Sequence, residues 1–206
     1  VGGKCGGTRL LFAATDDAIE NMLKQAMQMA SSEILEKSLE NYELKGMGTT
    51  CSLLFFNGGK AWFAHVGDSR IYRISSDGVA RLTTDHSLVQ EQLDAGLISQ
   101  EDAETSTLKN IITRSIGFEA DVEVDCRQID WRSGDAFILC SDGLTNFVTE
   151  REIKEIVTRK DEETAMDFLV RLANQRGGDD NITVILVRVF DGERPAEEAS
   201  QKQQEE

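Results

Sequence analysis

Along the chain, apolar residues first recur at helical spacing and then switch to strand spacing. Ile19, Met22, Leu23, Ala26, Ala30, Ile34 and Leu35 fall three and four residues apart and define one apolar stripe. That stripe predicts a helix beginning at Thr15. Thr15 can cap it, and Asp16 and Asp17 sit in the first turn, where the helix dipole favours negative charge. Upstream, residues 1–7 hold four glycines and read as loop. Leu10 to Ala14 is a short apolar segment of no defined type.

After Leu44 the period becomes two. Thr49 to Phe56 is rich in β-formers, and Asn57-Gly58-Gly59 signals a hairpin into a strand from Ala61 to Val66. Gly67-Asp68-Ser69 is a tight turn. A strand from Arg70 to Ile74, a turn at Ser76-Asp77-Gly78 and a strand from Val79 to Leu82 follow. Residues 85–110 read as mostly helical and polar, with Ser99 and Asp102 spaced as a capping box. Val122 to Ile129 and Asp135 to Cys140 read as strands. Thr149 with Glu152 starts a helix, and Asp161 starts another that runs to Gln175 and stops at Gly177-Gly178. Ile182 to Phe190 is the last strand. Consecutive hairpins rather than βαβ units predict an α+β chain of antiparallel sheets covered by helices.

Composition narrows the picture. With 206 residues and 40% hydrophobic content, residues 1–190 can form one domain with a substantial core. Residues 191–206 carry the sole proline, six acidic and two basic residues and no apolar pattern, so a disordered tail is expected. The net charge of −15 disfavours a nucleic-acid binder, which needs a basic face. It suits a soluble acidic surface, and also a protein that collects divalent cations. Cys5, Cys51, Cys126 and Cys140 form no C-x-x-C pair, so no zinc site is indicated and a cytoplasmic location is expected. No apolar run approaches the roughly 20 residues needed to span a bilayer, and no signal peptide is recognisable.

Three aspartates stand out by position. Asp68 follows the strand ending at Val66, Asp142 follows the strand ending at Cys140, and Asp180 precedes the strand starting at Ile182. In antiparallel sheets the end of one strand lies beside the start of its neighbour, so two exits and one entry can meet at one edge. Gly67, Gly143 and Gly178 allow the tight backbone there. Converging carboxylates repel one another unless a cation lies between them, and oxygen-only donors select Mg²⁺ or Mn²⁺. Aspartate is also common in turns, so each one alone reads more readily as a turn residue.

The strings Gly46-Met47-Gly48-Thr49-Thr50, His65-Val66-Gly67-Asp68-Ser69-Arg70, Ser141-Asp142-Gly143-Leu144 and Gly178-Asp179-Asp180-Asn181-Ile182-Thr183-Val184 occur in this order. Together they resemble four successive signatures of the type 2C metal-dependent protein phosphatases. Leu82 to Val89 and Thr113 to Gly117 look like weaker motifs of the same family. The resemblance, which spans about residues 46–190, implies two antiparallel sheets packed as a sandwich with helices on both outer faces. It implies hydrolysis of phosphoserine and phosphothreonine by a water held at two Mn²⁺ or Mg²⁺ ions, with phosphoprotein substrates and an opposing serine/threonine kinase. Asp142 and Asp180 match ligands of one ion, and Asp68 matches a position that helps bind a weaker third ion in bacterial members. Asn146 falls where many members carry a further aspartate for that ion. Residues 85–117 resemble the flap over the family's site; within it, His86 and Arg114 are candidates for substrate and flap contacts, and His86 for anchoring the segment over the sheet edge. His65 reads as a packed, hydrogen-bonded strand residue.

The sequence also departs from the family pattern. The first strand, with its phosphate-binding arginine and acidic ligand, is not found, nor is the Asp-Gly that opens the second motif. Val1-Gly2-Gly3 resembles the tail of that motif, with Lys4 where bacterial members often have histidine. A second expectation therefore stands beside the enzyme: a phosphatase-like module that binds partners without hydrolysis.

Overall fold

The computed structural model describes residues 15–190. The glycine-rich opening, the apolar segment from Leu10 and the acidic tail lie outside them. Helix α1 (Asp16–Glu40) begins where expected, with the Thr15 side chain accepting from the Ala18 amide at 3.3 Å. Its buried face differs from the expected stripe. Burial runs every fourth residue through Ile19, Leu23, Met27 and Ser31, while Met22, Ala26 and Ala30 face solvent. A single i, i+4 ridge lies against the sheet, so Met27 takes the place assigned to its neighbours. Ser31 is buried because its hydroxyl is fully used: it donates to the Glu119 carbonyl at 2.6 Å and accepts from the Gly117 amide at 2.8 Å. A 3₁₀ turn, Tyr42–Leu44, follows.

Strands β1 (Cys51–Asn57) and β2 (Lys60–Val66) pair with Asn57 opposite Lys60. Gly58 and Gly59, both at positive φ, make the two-residue turn that the twist of a hairpin prefers. The first strand starts later than its β-rich sequence suggested, because Thr49 exchanges backbone hydrogen bonds with Ile116 instead. β3 (Arg70–Ser75), β4 (Gly78–Arg81), β5 (Asp125–Ile129), β6 (Ala136–Cys140) and β7 (Val184–Arg188) complete two sheets, ordered β1-β2-β5 and β4-β3-β6-β7. Every pairing is antiparallel. β5 begins three residues after the expected Val122. The stretch before it is tied to α1 instead, through Gln28 to Asp121 (2.8 Å) and to the Val122 carbonyl (3.3 Å).

The segment between β4 and β5 carries two short helices, α2 (Leu88–Asp94) and α3 (Gln100–Thr105), the latter with the expected Ser99/Asp102 capping box. A helix of four residues not expected from sequence, α4 (Asp142–Thr145), follows β6 directly. α5 (Glu150–Arg159) starts on the Thr149/Glu152 capping box, and α6 (Glu162–Gln175) on the Asp161 side chain.

Three apolar layers hold these elements together. Between the sheets lie Ala61, Phe63 and Ile129 from one and Ile71, Phe137 and Leu139 from the other. The outer face of the three-stranded sheet, with Trp62, Ala64 and Val66, packs on Ile19, Leu23 and Met27 of α1. The outer face of the four-stranded sheet, with Tyr72, Ile74 and Ile138, packs on Ile153, Val157 and Leu169 of α5 and α6. The result is a sandwich of two antiparallel sheets with helices outside both. Among the described residues no helix is long and apolar enough to cross a membrane.

The turn from β2 to β3 is the tightest point of this frame. Gly67 has φ +113°, and a Cβ there would collide with the Thr50 side chain. Gly67→Ala is expected to cost at least about 2 kcal/mol, whereas Gly58→Ala, at an open hairpin tip, should cost about 1 kcal/mol or less. Urea midpoints of the two variants check the ordering, and equal losses would refute it.

Candidate metal centre

The register of the four-stranded sheet determines what gathers at its edge. Cys140, the last residue of β6, lies opposite Arg70, the first of β3, and opposite Val184, the first of β7. The approaches to β3 and β7 and the exit from β6 therefore meet. Asp68 precedes β3 by two residues, Asp142 follows β6 by two, and Asp180 precedes β7 by four.

Ser141 fastens the β6 exit to the β7 approach. Its hydroxyl donates to the Asn181 carbonyl and accepts from the Thr183 amide, each at 3.0 Å, and its own amide donates to the Thr183 carbonyl at 3.1 Å. The hydroxyl is thus unavailable to cap α4, and Asp142 occupies the first turn of that helix. Gly143 is buried against the same crossing; a Cβ there would lie 2.5 Å from the Asn181 carbonyl. On the other side, Thr50 and Ser69 share a hydroxyl hydrogen bond of 2.8 Å that braces the loop carrying Asp68.

Asp68 and Asp142 line one open cavity of about 370 Å³, roofed by α2, α3 and the stretch that carries Lys109 and Asn110. Asn146 lines it as well. Burial, then the charges of Asp142 and Asp85, pushes the Asp68 carboxyl up to about 6. Asp180 is placed differently. It is exposed, it does not line the cavity, and its Oδ1 accepts from the Asn181 amide at 2.7 Å.

Sequence reasoning missed the ion-pair cluster in the floor of this cavity. Arg70 Nε lies 3.1 Å from both oxygens of Asp85, and Nη2 lies 2.6 Å from Oδ2. Arg81 Nη2 stands 2.5 Å from Asp85 Oδ1, while its Nε donates to the Thr83 carbonyl at 2.7 Å. A signal existed: the short β3–β4 hairpin folds Leu82-Thr83-Thr84-Asp85 back beside Arg70.

His86 is buried and pins the base of the flap. Its amide donates to the Gly67 carbonyl at 2.8 Å, its Nδ1 accepts from the Gly67 amide at 3.0 Å, and its carbonyl accepts from Thr113 at 2.9 Å. With Nδ1 accepting, the proton sits on Nε2, facing Asp125 at 3.4 Å. Arg114 pairs with the same aspartate at 3.2 Å and with Glu123 at 2.8 Å, and its Nη1 stands 3.1 Å from His86 Nε2 without a hydrogen bond, since both nitrogens carry protons. Neither His86 nor Arg114 lines the cavity; both lie where the flap joins the sheet. His65 is fully buried beneath, its ring centroid 5.0 Å from that of His86. It accepts from Ser52 at Nδ1 (2.9 Å) and donates from Nε2 to the Thr84 carbonyl (3.2 Å).

These donors can be weighed against a hard divalent cation. Asp68 and Asp142 offer only oxygen, they repel each other, and among the described residues no arginine or lysine side chain hydrogen-bonds to either. A divalent cation would relieve that repulsion, so the pair fits one. Among the described residues no three His, Cys, Asp or Glu side chains converge as a metal-binding group, so a cation held by these two would need further donors.

A family model described as protein phosphatase 2C matches residues 8–186. The serine/threonine phosphatase stp of Listeria innocua is 41% identical over 174 residues, which is 84% of this chain and 69% of that protein. Among solved structures, the serine/threonine phosphatase of S. agalactiae superposes with a TM-score of 0.79 at 39% identity, covering 86% of this chain and 75% of that one. The catalytic domain of the serine/threonine protein phosphatase PstP, solved in complex with two manganese ions, superposes with a TM-score of 0.74 at 30% identity, over 87% and 75% of the two chains.

Burial and the neighbouring His86 hold the His65 ring neutral, with its pKa lowered to about 4, and His86 is shifted the same way by burial and then by Arg114. In the unfolded chain His65 takes up its proton near pH 6.5, so the unfolded state gains stability as pH falls from about 6.5 to about 4. The native state should lose roughly 3 kcal/mol over that window from His65 alone. His65→Gln, which retains an acceptor and a donor, is expected to flatten the dependence. Urea midpoints at pH 7 and pH 5 measure it; an unchanged slope in the variant would exclude His65 as the cause.

Proposed function

The chain belongs to the protein phosphatase 2C family, and from that membership we propose that it hydrolyses phosphoserine and phosphothreonine in proteins at the cavity bearing Asp68 and Asp142. The observation that carries this reading is the pairing of those two carboxylates, with no cationic side chain of the described residues bonded to them, in a cavity walled by the flap. Asp142 and Asp180, joined through the Ser141 staple, would hold one Mn²⁺ or Mg²⁺, and Asp68 with Asp142 a weaker ion. When bound, the ions activate a water and neutralise charge on the phosphoryl oxygens. The chain's own residues do the rest. Gly67 and the Thr50–Ser69 bond orient Asp68, α4 orients Asp142, and α2 and α3 of the flap form a wall of the cavity.

Phosphoproteins made by a serine/threonine kinase, in a bacterial cytoplasm, are the substrates this reading calls for. A binding module without hydrolysis has no observation in its favour, since the matched relatives are named phosphatases.

Asp142→Asn and Asp180→Asn keep shape but remove a charged oxygen. Each is expected to lower kcat on a phosphothreonine peptide at saturating Mn²⁺ by more than the roughly 10–100-fold that loss of a ligand's outer partner costs. Asp68→Asn should be milder. Circular dichroism should show all three folded. Wild-type turnover by a folded Asp142→Asn or Asp180→Asn protein would sink the ligand assignment.

A further inference from the structure

Arg70 lines the same cavity as Asp68 and Asp142 and is bonded to neither. A guanidinium carries five N–H donors in a fixed fork and seeks a carboxylate. Among the described residues the carboxylate hydrogen bonds of Arg70 all go to Asp85, at 2.6 and 3.1 Å, and its Nη1 approaches the Tyr72 hydroxyl at 3.4 Å. Asp85 is itself held from two sides. Arg81 from β4 grips its other oxygen at 2.5 Å, and the next residue, His86, is fixed to the backbone of Gly67. Asp85 is therefore not free to follow Arg70; Arg70 is drawn to Asp85.

We propose that Asp85 is a positioning residue for the cation site: it holds the Arg70 guanidinium away from Asp68 and Asp142, so that these carboxylates stay open to a divalent cation. The inference rests on the cation-site reading given above and adds what keeps that site accessible. Arg70 already acts on Asp68 through space, favouring its charged form, so without the Asp85 charge this proposed ligand is an anion on the same cavity wall to which the guanidinium can turn. An arginine on a carboxylate shifts its proton affinity by one to three pKa units, and a metal ion competes for the same oxygens. Asp85→Asn should therefore weaken cation binding by about tenfold, even though Asp85 is not itself a ligand.

A role for Asp85 as a mere brace of the flap makes a different prediction, and a double-mutant cycle separates the two. Mn²⁺ binding to the whole chain is measured by water-proton relaxation, for wild type, Asp85→Asn, Arg70→Met and the double variant. The expected pattern is a loss of about tenfold in Asp85→Asn, recovery to near wild type in the double variant, and binding at least as tight as wild type in Arg70→Met. Arg70→Met leaves Asp85 with its Arg81 partner, so it stays informative should Asp85→Asn fail to fold. A double variant as weak as Asp85→Asn, weaker binding by Arg70→Met, or unchanged binding by Asp85→Asn each overturns the proposal while leaving the cation site standing. Absence of Mn²⁺ binding by the wild-type chain overturns the site reading, and the proposal with it.

Discussion

The architecture of this protein depends on the register of one central strand. β6 is apolar along its whole length and lies between β3 and β7, with Cys140 facing both Arg70 and Val184 across the ladder. A slip of one residue would turn Phe137 and Leu139 out of the space between the sheets and put Ala136 and Ile138 there instead. It would also separate the loops that bring Asp68 and Asp142 to one cavity. Core packing and site assembly are therefore one constraint: the apolar side chains that fix the ladder fix the carboxylates at its end.

Charge at that end is balanced locally. Asp68 and Asp142 repel each other, while Arg70 hydrogen-bonds to Asp85 and Arg81 forms an ion pair with the same carboxylate. Two cations around one largely buried carboxylate form a stiff cluster, since each partner would be costly to leave unpaired in a cavity wall. The nearby ring stack of His65 and His86 stays neutral and adds no charge of its own. In this region the two loop carboxylates, Asp68 and Asp142, stay open to the cavity.

Much of the frame was legible in the sequence, and the misses have physical causes. Every strand was found, because hairpin turns such as Asn57-Gly58-Gly59 punctuate period-two runs. Strand starts failed where a tertiary bond outcompeted the ladder, as at Thr49 and Val122. The face of α1 was misread because a serine with both hydrogen-bonding roles satisfied can be buried as well as an alanine. Strand exits and entries pointed to three aspartates at one edge, and the structure brings two of them, Asp68 and Asp142, to one cavity. Asp180 lies apart from the cavity because its carboxylate folds back on the Asn181 amide, a local choice that no periodicity encodes. The Arg70–Asp85–Arg81 cluster was missed because each member looked like an ordinary surface charge until the β3–β4 hairpin closed.

The flap enters and leaves the sandwich through neighbouring residues. Ser87 bridges to Ile112, Leu88 bonds to Ile111, and Thr113 bonds to His86. Its two ends are therefore stitched together at the base, and nothing in the strand ladders records how long the excursion between them is. The segment behaves as a cassette: it can be lengthened, shortened or exchanged during divergence without shifting any strand, so recognition can change while the chemistry beneath it is inherited intact.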